Sequence, residues 1–102
     1  MTTITLRYFD GCPNWEVARR RLQEAIGLVD FATDVQLERI QTAEDADRVS
    51  FRGSPTILID GRDVFADPSA PTGLSCRVYR TEIGMEGSPS VSQLVSALKE
   101  SS

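Results

Sequence analysis

Gly53-Ser54-Pro55-Thr56-Ile57-Leu58-Ile59-Asp60-Gly61 decides the architecture of this chain. Thr56 to Ile59 is a short run of β-branched and apolar residues, the composition of a buried strand. Asp60-Gly61 closes it with a two-residue hairpin signal, and Arg62-Asp63-Val64-Phe65 provides the returning strand. Ahead of the strand, the Ser54-Pro55 bond in a tight loop is a candidate for the cis form. Such a loop exposes backbone N–H and C=O groups at a strand end, where an extended chain can dock by strand-like hydrogen bonds. The plainer reading of Pro55 is an ordinary turn proline.

Upstream, Thr3-Ile4-Thr5-Leu6-Arg7-Tyr8-Phe9 alternates apolar and polar residues and predicts a first strand. Asp10-Gly11-Cys12-Pro13 turns the chain, and Pro13 suits the first position of a helix. Trp15, Ala18, Leu22, Ala25, Ile26 and Val29 recur at helical spacing, with Gly27 as a candidate C-terminal cap. Val35 to Ile40 predicts a second strand, and Thr42 with Asp45, Ala46 and Val49 a short capped helix. Near the end, Ser90 and Gln93 form a capping box for a helix lined by Val91, Leu94, Val95 and Leu98. The order is strand, helix, strand, helix, hairpin, helix. It predicts an α/β fold: a parallel, right-handed βαβ unit, an antiparallel hairpin, and a mixed four-stranded sheet. The whole of 1–102 reads as one domain. Residues 66–89, with Pro68, Pro71, Gly73, Gly84 and Gly87, read as a long loop or insertion carrying Cys76, the kind of segment used as a lid or binding loop.

Bulk properties narrow the function. A length of 102 residues fits one domain, and apolar and charged fractions of 40% and 25% are globular values. A net charge of −4 argues against a nucleic-acid partner, and the only basic run, Arg19-Arg20-Arg21, reads as a solvated helix face. No apolar run approaches the ~20 residues that span a membrane. Met1 to Ile4 lacks the features of a secretory signal, so the expectation is a cytoplasmic protein with no membrane partner. Two cysteines are too few to staple a fold, and in a reducing compartment they point to chemistry or metal. The absence of histidine removes Cys-His and Ser-His-Asp catalysis and His-ligated metal sites.

Chemistry therefore concentrates on sulfur. Cys12 falls between a strand and a helix, where unpaired amides and the helix dipole favour a thiolate, with Asp10 opposing by charge repulsion. Cys76 has two readings. It is a small buried hydrophobe or idle loop thiol, or it is a resolving cysteine that attacks a mixed disulfide or sulfenic acid on Cys12. Trp15 is either the first core residue of its helix or a wall covering the thiol.

Tyr8-Phe9-Asp10-Gly11-Cys12-Pro13 and the stretch from Gly53 to Gly61 together resemble the thioredoxin-like superfamily, over Leu6 to Phe65 and the last helix. The resemblance implies a three-layer fold. It also implies Cys12 as attacking nucleophile, a cis Pro55 packed beside it, and Thr56 contributing backbone to substrate docking. Pro13, Trp15 and Ser54 beside them are the further candidates for a substrate-binding surface. Two departures stand out. In Cys12-Pro13-Asn14-Trp15 tryptophan occupies the place of the second cysteine of a Cys-x-x-Cys motif, so no disulfide can close there. Ala66-Asp67-Pro68 stands where glutathione-binding members carry a Gly-Gly and paired-acid pattern.

Three functions are compatible with these residues. The first is a thiol-disulfide oxidoreductase or redox-responsive thiol protein acting on a disulfide- or thiol-containing protein or small molecule, with no resident cofactor or metal. The second is a soft-metal or mercury thiol-binding protein, with a resemblance to organomercurial lyases in which Asp10 would be the carboxylate. The third is a redox-inactive thioredoxin-like binding module.

Overall fold

The structure is a computed structural model that describes residues 3–29, 34–65 and 71–101. Ile4 and Leu6 have no exposed surface, whereas Thr5 and Arg7 between and after them stay partly exposed, as the alternation of β1 (Ile4–Tyr8) requires. β1 pairs in parallel with β2 (Val35–Arg39) and antiparallel with β3 (Thr56–Ile59), so that Leu6 faces Leu37 on one side and Ile57 on the other. β3 turns into the short β4 (Arg62–Asp63), giving a mixed sheet in the order β2-β1-β3-β4. At the turn, Asp60 and Gly61 both have positive φ, 53° and 80°, as a two-residue hairpin demands. β4 is shorter than the expected Arg62 to Phe65, because the Asp63 carboxylate accepts the Phe65 N–H and bends the chain away.

One sheet face is covered by α1 (Asn14–Leu28) and α3 (Val91–Ser101). Their residues Ala18, Leu22, Ala25, Leu94, Ala97 and Leu98 form a single core with Ile4, Leu6, Ile57 and Ile59. Gly27 is not the cap of α1: the helix continues one residue and closes at Val29, whose N–H reaches the Ala25 carbonyl. The Ser90–Gln93 capping box forms in both directions, with Gln93 Oε1 accepting from the Ser90 N–H and Ser90 Oγ from the Gln93 N–H.

Arg7 points away from the face that Leu6 occupies. It pairs with Glu38 and donates to the Val49 carbonyl at the end of α2 (Ala43–Arg48), which places that end on the opposite side of the sheet. There Ile40, Ala46 and Phe51 make a second, smaller core with Phe9 and Val49. The Thr42 side chain caps α2 by accepting from the Asp45 N–H.

The stretch read as a long loop holds a second hairpin. β5 (Tyr79–Thr81) and β6 (Gly84–Glu86) pair antiparallel and stand apart from the main sheet. Ala66-Asp67-Pro68 lie outside the described residues. Among the described residues, no helix is long and apolar enough to cross a membrane.

Candidate functional site

Cys12 is placed by the turn between β1 and α1. Its N–H donates to the Phe9 carbonyl at 3.3 Å, and Pro13 follows as the N-cap residue of α1 with no side-chain cap. The first amides of the helix therefore lack a side-chain acceptor at the end where Cys12 sits. The residue itself is fully buried. Its Sγ lies 3.6 Å from the Ser54 carbonyl oxygen, and Ser54-Pro55 is the cis peptide bond. Cys12 and the proline loop are thus neighbours across 42 residues of sequence.

The docking edge of that loop is occupied by the chain itself. The Ser54 N–H donates to the Ser75 carbonyl and the Arg77 N–H donates to the Ser54 carbonyl, both at 2.8 Å, so Ser54 and Cys76 form a parallel bridge. Cys76 is held directly over Cys12, and the two form a disulfide with Cα atoms 5.7 Å apart and 64 residues between them in sequence. This separation is within ordinary disulfide reach. Cys76 is exposed and bonded, so the reading of it as a buried small hydrophobe is overturned.

Gly53 makes the approach possible. It has φ +117°, and a Cβ there would stand 3.1 Å from the Arg77 Cβ and 3.3 Å from the Ser75 carbonyl oxygen. Thr56, named for its backbone, contributes its hydroxyl instead: Oγ1 donates to the Gly53 carbonyl at 2.6 Å and accepts from Arg77. The backbone bonds to the docked segment come from Ser54.

Arg77, Asp63 and Tyr79 are the residues that sequence reasoning missed. The Arg77 side chain is almost wholly buried, pairs with Asp63 at 2.8 Å, donates to the Phe65 carbonyl, and lies 4.7 Å over the Tyr79 ring. Tyr79 donates its hydroxyl to the Pro55 carbonyl and meets Phe65 edge-on. Burial pushes the Tyr79 phenol well above its ordinary range, outweighing the nearby Arg77 charge that lowers it. An Arg and a Tyr at alternate positions directly after Cys76 were the available signal.

The other candidates sit at the margin. Pro13 is exposed. Trp15 is half-buried, packs against the main core and stacks on Tyr8 with ring centres 4.2 Å apart. The Asp10 carboxylate pairs with Arg39 at the surface, at 3.0 Å. Arg21 leaves the basic run to pair with Glu86 of β6 at 2.8 Å, whereas Arg19 and Arg20 are exposed. Among the described residues, no group of three or more Cys, Asp or Glu side chains gathers to hold a metal ion. No known protein-family model and no curated protein matches this chain.

Proposed function

We propose that this is a thioredoxin-like thiol-disulfide oxidoreductase whose redox couple is the non-adjacent pair Cys12 and Cys76. The observation that carries the reading is the disulfide closed across the Ser54 bridge, with one sulfur at the uncapped start of α1. Aligned amides at a helix N-terminus favour an anion, so Cys12 once reduced sits where negative charge is stabilised without a histidine. The second thiol that the Cys12-Pro13-Asn14-Trp15 stretch lacks is supplied from residue 76. In the cytoplasmic setting expected from the sequence, a disulfide of this kind is a cycling one. The substrate is a disulfide- or thiol-containing protein or small molecule: reduced protein plus a substrate disulfide gives the Cys12–Cys76 disulfide and two substrate thiols.

The test is turnover of a disulfide substrate such as 5,5′-dithiobis(2-nitrobenzoate) by the reduced protein under a recycling reductant. Replacing both cysteines, Cys12→Ser together with Cys76→Ser, abolishes catalytic turnover if the reading holds; turnover at the parent rate ends it. The same two sulfurs, once reduced, also suit linear coordination of a soft cation. That second reading expects one equivalent of Hg(II) to protect both thiols from alkylation, and either single substitution to remove the protection. Asp10, engaged with Arg39, gives little support to the lyase form of it.

A further inference from the structure

Thiol-disulfide exchange needs a thiolate to reach one sulfur of the pair and expel the other, so access decides which sulfur is attacked. The two ends of this disulfide differ sharply. Cys12 has no exposed surface, closed in by the Ser54 carbonyl on one side and the docked segment on the other. Cys76 is exposed and lines a cleft of about 230 Å³ together with Arg52, Phe65, Pro71, Arg77 and Val78. The volume suits a small thiol or the tip of a peptide side chain.

We infer that external thiols exchange at Cys76, entering by this cleft, and that Cys12 is the sulfur expelled and later the one that recloses the bond. The inference rests on the redox reading above. The incoming thiolate gives its electron pair to Cys76 Sγ, the Cys12–Cys76 bond breaks, and its pair departs on Cys12 Sγ at the start of α1. A second thiolate attacks the substrate sulfur of the mixed disulfide and releases Cys76 as thiolate, which takes a proton from water. Two thiols become one disulfide, and the protein disulfide becomes a dithiol. In reverse, Cys76 attacks a substrate disulfide and Cys12 resolves it, the opposite of the roles a thioredoxin-like resemblance assigns to Cys12. The geometry serves this order. The bonds from Ser54 to Ser75 and Arg77 hold the Cys76 backbone without using its sulfur, so a mixed disulfide there stays over Cys12.

The experiment mixes the oxidised protein with excess glutathione as probe, traps at early times with acid and then an alkylating agent, and maps the adducts by peptide mass spectrometry. Glutathione on Cys76 with alkylated Cys12 is expected to exceed the inverse species by about tenfold or more. A second arm loads thionitrobenzoate onto the single cysteine of Cys12→Ser and of Cys76→Ser and times its release by glutathione. Release from Cys76 is expected to be faster by a similar factor. Adducts that favour Cys12, or divide evenly, overturn the inference and leave the redox reading standing. A disulfide that excess glutathione and dithiothreitol both fail to open overturns the two together.

Discussion

The two hairpins of this chain are held by different forces. β3–β4 belongs to the main sheet: β3 is buried along its whole length, and its turn has the backbone conformation that Asp-Gly favours. β5–β6 has no partner in that sheet and leaves Ile83 and Met85 largely exposed. It is tied down by side chains instead: Arg21 to Glu86, Ser90 to Glu82, Gln93 to the Arg80 carbonyl, Tyr79 to the Pro55 carbonyl. Just before it come Arg77 and the disulfide. Apolar burial is spread over many contacts and degrades gradually. A segment held by a handful of polar and covalent ties loosens when one of them is removed.

The largest test of this contrast is the disulfide itself. A cross-link spanning 64 residues restricts the unfolded chain, and chain-entropy reasoning gives it about 4 kcal/mol. Reduction, or Cys76→Ser, is expected to lower Tm by on the order of 20 °C. Native-state hydrogen exchange should show the Ser54 and Arg77 amides losing protection first, while those of β1 and β3 keep theirs. A drop of only a few degrees would mean the segment docks without its covalent tie.

Arg77→Ala comes next. It leaves Asp63, the Phe65 carbonyl and the Thr56 hydroxyl short of a partner. With Asp63 partly exposed, a loss of about 2–3 kcal/mol is expected, below that of a fully buried pair. Asp63→Asn should reproduce part of it, and the double substitution should fall short of the sum. Additive losses in chemical denaturation would show that the two side chains act separately.

Gly53→Ala probes the same docking from the opposite side. The positive φ and the close approach of Ser75 and Arg77 should together make it destabilising by about 1–3 kcal/mol. The disulfide should also form more slowly on reoxidation. Normal reoxidation in the variant would mean that Gly53 does not govern the approach of Cys76.

Acid should discriminate the hairpins as well. The Glu86 carboxyl is held below its ordinary range by hydrogen bonds from Thr81 and Arg21, and Glu82 by its bond from Ser90. A depressed folded pKa contributes stability above the unfolded value, and that contribution is lost as pH falls through the folded one. β5–β6 is therefore expected to lose exchange protection below about pH 4.5 before β3–β4 does. Glu86→Gln should flatten that acid limb; an unchanged profile would remove Glu86 as its source.

These differences also explain what could be read from the residues alone. The main sheet follows local rules: alternation in Thr3 to Phe9, Asp60-Gly61 at the turn, the Thr42 cap and the Ser90–Gln93 box each act within a few residues. Cys12, Ser54 and Pro55 were legible because the residues that make them special are their own neighbours. The second hairpin was not, since Pro and Gly around it signal irregular chain and Tyr79-Arg80-Thr81 is too short a run to outweigh them. The pairing of Cys12 with Cys76 was legible only as one of two readings of Cys76, and the choice between them was out of reach for another reason. It depends on a parallel bridge between Ser54 and Cys76 and on an arginine buried 14 residues from its carboxylate, and neither leaves a periodic trace.

The smallest expected effect lies between the two regions, at Ser54. Its Oγ is buried and has no hydrogen-bond partner among the described residues, although the backbone on both sides of it is fully engaged. A buried hydroxyl left unpaired carries a desolvation penalty of about 1–3 kcal/mol, and its removal leaves a void too small to cancel that gain. Ser54→Ala in the oxidised protein should therefore be neutral or stabilising by up to about 1 kcal/mol, the reverse in sign of every substitution above. The reduced protein sharpens the point. A thiolate on Cys12, whose sulfur already lies 3.6 Å from the Ser54 carbonyl, offers that hydroxyl an acceptor. If the hydroxyl turns to it, Ser54→Ala becomes destabilising once the disulfide is opened. Paired denaturation curves of the oxidised and reduced forms measure that change of sign, and equal shifts in both would show that the hydroxyl stays unpaired through the redox cycle.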